Sequence, residues 1–178
     1  MTRSRITDIA PSRLAQLNRG EAEASNLTEC LAVDFAALMQ CTLPSLGPQA
    51  LASMHAASGE GITRRMALAA RLLLAENGTR DLAALSRHPS DTVRGWACFM
   101  VGASEGLSLS DCLALIRPLA DDPHFGVREW AWLAMRTTIA AQLEAAIAAL
   151  VPWTVEPSER LRRFAREATR PRGGWCTH

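Results

Sequence analysis

The chain has 178 residues, 48% of them hydrophobic and 21% charged, with a formal net charge of +1. This balance excludes an intrinsically disordered chain and a polycation, and the length suits one domain with a sizeable core. The longest apolar stretches, such as 139–151, are broken by polar residues (here Gln142 and Glu144) and fall short of the ~18 residues a membrane-spanning helix needs.

The N-terminus carries Arg3, Arg5 and Asp8 with no apolar segment behind them, which argues against a secretory signal. Residues 1–23 read as a polar, Arg-rich leader with a short helix from Ser12, and residues 24–178 as a single repeat domain. Leu27 to Met39 reads as one helix, with Leu31, Phe35 and Leu38 on one face and Thr28 as its cap. A Pro/Gly breaker at 43–48 precedes a short helix from Gln49 to Ala57. Thr63 to Glu76 is a strong helix stopped by Asn77-Gly78, and a weak match through Arg65 and Ala67 makes it a diverged relative of the helices that follow. Three helix pairs then run to the end: Asp81–Arg87 with Asp91–Ala103, Ser110–Ala120 with Phe125–Thr138, and Ala140–Leu150 with Ser158–Thr169. Asp122 reads as a good cap; His88 and Glu156 are poorer ones. The five cysteines (Cys30, Cys41, Cys98, Cys112, Cys176) lack zinc spacing, so a reduced, cytoplasmic protein with no metal and no organic cofactor is expected.

The pairs are a repeat. Pro89, Pro123 and Pro157 stand 34 residues apart, and their flanks align: His88-Pro89 through Val93-Arg94 to Trp96-Ala97, Asp122-Pro123 through Val127-Arg128 to Trp130-Ala131, and Glu156-Pro157 through Leu161-Arg162 to Phe164-Ala165. Similarity at a fixed period of this size means stacked supersecondary units, an all-α solenoid that binds along one face. The second helix of each pair has an apolar stripe for the core: Val93, Trp96, Ala97 and Met100; Val127, Trp130, Ala131 and Ala134; Leu161, Phe164, Ala165 and Ala168.

The stripe two residues along is chemically different. It runs Gly95, Cys98, Gly102, then Glu129, Trp132, Arg136, then Arg163, Arg166, Arg170, and stacking in register predicts that these nine positions adjoin as one surface. Two readings fit. One is a solvated face with helical ion pairs such as Glu129–Arg136 and Glu159–Arg163. The other is an arginine groove with Trp132 as an aromatic platform, suited to phosphate contact and base stacking. Arg172 and Trp175, in the Arg170-Pro171-Arg172-Gly173-Gly174-Trp175 tail, either extend that groove or cap the last repeat. All 19 basic residues are arginine, which fits either a base-composition bias of the genome or anion recognition by guanidinium forks.

The D-P-x-x-x-V-R turns, and above all the stretch Arg162-Arg163-Phe164-Ala165-Arg166-Glu167-Ala168-Thr169-Arg170-Pro171-Arg172 followed by Trp175, resemble the HEAT-like repeats of bacterial DNA alkylation repair proteins of the AlkC/AlkD superfamily. The resemblance covers roughly residues 24 to 178 and implies a right-handed α-solenoid whose basic concave cleft holds duplex DNA. It further implies a glycosylase that excises N3- and N7-alkylated purines, a cleft carboxylate stabilising the cationic sugar as the base leaves. Glu167, Arg170, Arg172 and Trp175 match the signature; Glu129 and Trp132 come from the face alone. Glu167 and Glu129 are thus the catalytic candidates, and Trp132, Arg136, Arg163, Arg166, Arg170, Arg172 and Trp175 the DNA-binding ones. Glu167 also stands four residues after Arg163 and three before Arg170, where it can simply hold those guanidiniums. The other function consistent with the repeats is a non-catalytic scaffold that binds protein or damaged DNA.

Overall fold

A computed structural model describes residues 5–170 of the chain, and the described residues contain helices and no strand. After a 3-10 turn at Ile6–Asp8, the helices are α1 (Pro11–Asn18), α2 (Leu27–Ala32), α3 (Phe35–Thr42), α4 (Pro48–Ala56), α5 (Ile62–Asn77), α6 (Leu82–Leu85), α7 (Asp91–Ala103), α8 (Leu109–Ala120), α9 (Phe125–Ala141), α10 (Leu143–Leu150) and α11 (Glu159–Ala168). A 3-10 segment, Val151–Val155, joins the last two.

The expected all-α solenoid is present. Helix α7 packs between α5 and α9, and α9 packs on α11, so these helices form one layer; α6 and α8 back α7, and α10 backs α9. The predicted core stripe fills the space between layers: Trp96, Val93 and Ala131 are fully buried, and Trp130, Leu161, Phe164, Ala165 and Ala168 nearly so. Burial of such side chains, at ~1.5–3 kcal/mol each, is what holds helices of this length in place.

One arginine in each repeat locks its own turn. Arg94 Nη1 donates to the carbonyls of His88 and Pro89 at 2.7 and 3.1 Å. Arg128 Nη1 does the same to Asp122 and Pro123 at 2.8 and 2.7 Å, and Arg162 Nη1 to Glu156 and Pro157 at 2.5 and 2.8 Å. The V-R of the repeat therefore satisfies carbonyls that proline turns leave without helical partners. Arg65 of α5 plays a diverged version of this part, donating to the carbonyls of Val33 and Leu31 at 3.0 and 3.1 Å. Contacts between successive turns, such as Ser158 Oγ to Asp121 Oδ1 at 2.5 Å, place the N-termini of α9 and α11 at the same edge.

Several local expectations need correction. The helix expected from Leu27 to Met39 is two helices, because Asp34 stops the first and caps the second, accepting from the amides of Ala36 and Ala37 at 2.9 and 3.1 Å. The cap of α2 is Asn26 rather than Thr28. The cap of α9 is His124, whose Nδ1 accepts from the Gly126 amide at 3.1 Å; Asp122 supports it from outside by accepting from the His124 amide at 2.7 Å. Residues of the 1–23 stretch, read as a leader, take part in the packing, with Leu17 buried in the common core and Glu23 paired with Arg94; the adjoining Ala24 bonds through its amide to Asp91 and through its carbonyl to His124 Nε2.

Candidate functional site

The nine-position surface does not form as expected. Gly95 and Cys98 are buried, because α7 is an interior helix with neighbours on both sides. A Cβ on Gly95 would lie 2.5 Å from Cε3 of Trp130, and one on Gly102 would meet the backbone of Ala134. The small residues of the first unit are there to let α9 approach, not to line a groove.

The six positions from α9 and α11 do come together. Arg163 crosses to Glu129, one full repeat earlier, as an ion pair. The other oxygen of Glu129 accepts from Trp132 Nε1 at 3.1 Å. Arg136 does not pair with Glu129; it lies flat over the Trp132 ring, 4.1 Å from the centroid. Such a cation–π stack contributes about 0.5–2 kcal/mol and covers that face of the ring. Trp132 is half-buried against the core, so its platform is already occupied. Burial holds the Arg136 guanidinium below its ordinary range, and the nearby Glu167 charge opposes this. Glu167 pairs with Arg170 at 3.2 Å. Arg166 points outward, its Nε donating to the Arg162 carbonyl at 3.2 Å. Arg163 and Arg170 keep 56% and 62% of their side-chain surface in solvent, so their charges remain available to a ligand. Arg172 and Trp175 lie outside the described residues.

Two further arginines belong to the face. Arg128 and Arg160 join Arg163 and Arg166 around a cleft of about 430 Å³ between the Pro123 turn and the start of α11. Arg160 Nη1 donates to the Asp121 carbonyl at 3.0 Å. Arg128 has its proton affinity lowered by burial first and then by the charges of Arg160 and Arg163. The signal for Arg128 was in the sequence, as the V-R of the repeat, but its structural part hid its position beside the other arginines. Helix α11 carries four arginines against two glutamates, a local excess in a chain of net charge +1.

Among the described residues no group of His, Cys, Asp and Glu is arranged to hold a metal ion, and no helix is long and apolar enough to cross a membrane. Neither a curated protein nor a solved structure gives a match to the chain. The family model for HEAT repeats matches residues 80–170, the span that holds the three turn-locking arginines and the whole α9–α11 face, and the chain belongs to the HEAT repeat family.

Proposed function

We propose that this HEAT repeat chain binds duplex DNA by its sugar-phosphate backbone, along the face made by α9 and α11. The observation that carries this reading is the exposed row of Arg163 and Arg166 on one side of α11 with Arg170 just past its end, continued by Arg128 and Arg160 at its start. Arginine forks on a convergent surface suit phosphate oxygens, and their effect is sequence-independent. Because Arg136 already covers Trp132, the face contacts backbone rather than stacking bases. The protein works where the DNA is, in the cytoplasm of a bacterial cell.

The resemblance to alkylation repair glycosylases extends this reading to excision of N3- and N7-alkylpurines. The two candidate carboxylates do not favour that extension. Glu129 is neutralised by Arg163 and held by Trp132, and Glu167 is paired with Arg170. A carboxylate already matched by a guanidinium has less field left for an oxocarbenium ion. Both glutamates act here to position arginines. The test is fluorescence anisotropy with a short labelled duplex. Affinity should fall steeply with salt, and Arg163→Glu with Arg166→Glu should abolish binding while the thermal melt is retained. Salt-independent binding, or full binding by the double variant, would point to another surface, and no duplex binding by the unaltered chain to a protein-binding scaffold instead.

A further inference from the structure

We infer that the cleft between the Pro123 turn and the first turn of α11 is a seat for a single backbone phosphate, the point that registers a duplex on the arginine face. This rests on the DNA reading above. The cleft is lined by Pro123, Arg128, Glu159, Arg160, Arg163 and Arg166, four guanidiniums against one carboxylate.

The preceding repeat supplies an internal comparison. Arg94 locks its turn with Nη1, as Arg128 does. The other edge of Arg94 is closed by oxyanions: Nε to Asp122 Oδ2 at 2.9 Å, Nη2 to Asp122 Oδ1 at 3.2 Å, and Nη2 to Glu23 as well. One repeat after Asp122 stands Glu156, but it turns to Arg117 at 2.6 Å. Among the described residues Arg128 therefore hydrogen-bonds only to the carbonyls of its turn and to no carboxylate, although Glu159 stands in the same cleft. Burial and the charges of Arg160 and Arg163 act against the charge of Arg128, and those of Asp122 and Glu129 oppose them only in part. Like charges gathered around a partly buried guanidinium are unfavourable until an anion enters. The first repeat shows the completed arrangement; the second holds the same donors without the oxyanion.

Two features select a nucleic acid phosphate over a side-chain carboxylate. Four guanidiniums exceed what one planar carboxylate can engage, whereas the free oxygens of a phosphate take forks from more than one side. The cations also do not stop at the cleft. Arg163 follows Arg160, and Arg166 follows Arg163, by three residues along α11, a rise of about 4.5 Å per step at ~1.5 Å per residue, and Arg170 stands just past the helix end. That is a row for a chain of charges, entered from the cleft.

The experiment uses the full chain, a short labelled duplex and a series of salt concentrations. Arg160→Gln should weaken binding about fivefold, equally for all sequences, and lower the salt slope by about one. Arg71→Gln, an exposed arginine of α5, should leave both unchanged. In parallel, the arginine Nε–H resonances are followed as inorganic phosphate is added, with shifts expected at Arg128 and Arg160. If the duplex binds and Arg160→Gln binds with the same affinity and slope, the seat is refuted while the arginine face stands. If the unaltered chain binds no duplex, the DNA reading fails; phosphate shifts at Arg128 and Arg160 would still uphold the seat, and their absence would remove it. Stronger displacement of phosphate by a polyglutamate peptide than by the duplex would overturn the phosphate in favour of an acidic protein segment.

Discussion

Replacing Gly102 by alanine tests how the solenoid is closed. Gly102 lies in the last turn of α7, and its carbonyl accepts from Thr138 Oγ1 of α9 at 3.3 Å. A Cβ there would fall 2.9 Å from the carbonyl carbon of Ala134 and nearer still to its oxygen. Both are backbone atoms, so no rotamer change relieves the clash and α9 must move. Overpacking of this kind costs about 1–3 kcal/mol, and a rigid obstacle belongs at the upper end. Alanine returns roughly 0.5–1 kcal/mol of helix propensity. The net loss is therefore about 2 kcal/mol, or roughly 4–8 °C in Tm for a chain of this size. Urea unfolding followed by circular dichroism measures it. Gly95→Ala should lose a similar amount, but its obstacle is the Trp130 ring, so part should return in a Trp130→Leu background; the Gly102 loss should not. Gly59→Ala, with open space around it, is the control. Gly102→Ala at wild-type stability would refute close helix approach as the reason for glycine here.

The turn-locking arginines should differ in cost although their sequence context is the same. Arg94→Gln strips the counter-charge from buried Asp122 and should cost about 3–5 kcal/mol in a urea melt, whereas Arg128→Gln loses only hydrogen bonds to its turn and should cost about 1–2 kcal/mol. Equal losses would mean that the Asp122 pair is not what sets Arg94 apart. Burial pushes the Cys30 thiol up to about 12 and raises Cys98 as well, whereas Cys41 is exposed. At pH 8 a thiol reagent followed by peptide mapping should therefore modify Cys41 and spare Cys30 and Cys98 until the protein is unfolded.

The fold was legible because its signal is periodic. The prolines, the V-R pairs and the apolar stripes repeat at 34 residues, and α7 begins and ends at the residues that the pattern marks. What failed to read was whatever depends on a neighbour. Leu31, Phe35 and Leu38 keep helical spacing through Asp34, so the break between α2 and α3 is visible only as an aspartate able to cap. Equivalent units would put Gly95, Cys98 and Gly102 on the surface, but α7 has a helix on either side and the arginine-bearing helix α11 packs on α9. The arginines are legible in the sequence, but helical spacing points to partners three or four residues away. Glu129 instead meets Arg163 at a separation of one period, the spacing at which stacked repeats bring side chains face to face.

That pairing gives a test in which the two readings of Glu129 differ in sign. If Glu129 is a catalytic carboxylate, Glu129→Gln should reduce the release of 3-methyladenine or 7-methylguanine from alkylated duplex. If it positions Arg163, the same change removes one negative charge from the face and frees one guanidinium. The amide keeps an oxygen for Trp132 Nε1, so the local packing survives. Removing a unit charge about 5 Å from a phosphate site in high dielectric is worth about 1 kcal/mol, so duplex affinity should rise roughly fivefold at low salt. Glu167→Gln should act in the same direction through Arg170 and Arg136. Both quantities are read on the same preparations, affinity by anisotropy and released base by chromatography. Tighter binding with no release from any form is the outcome expected from the ion pairs. Release from the unaltered chain that either substitution abolishes would overturn the positioning role and restore the glutamate to the chemistry.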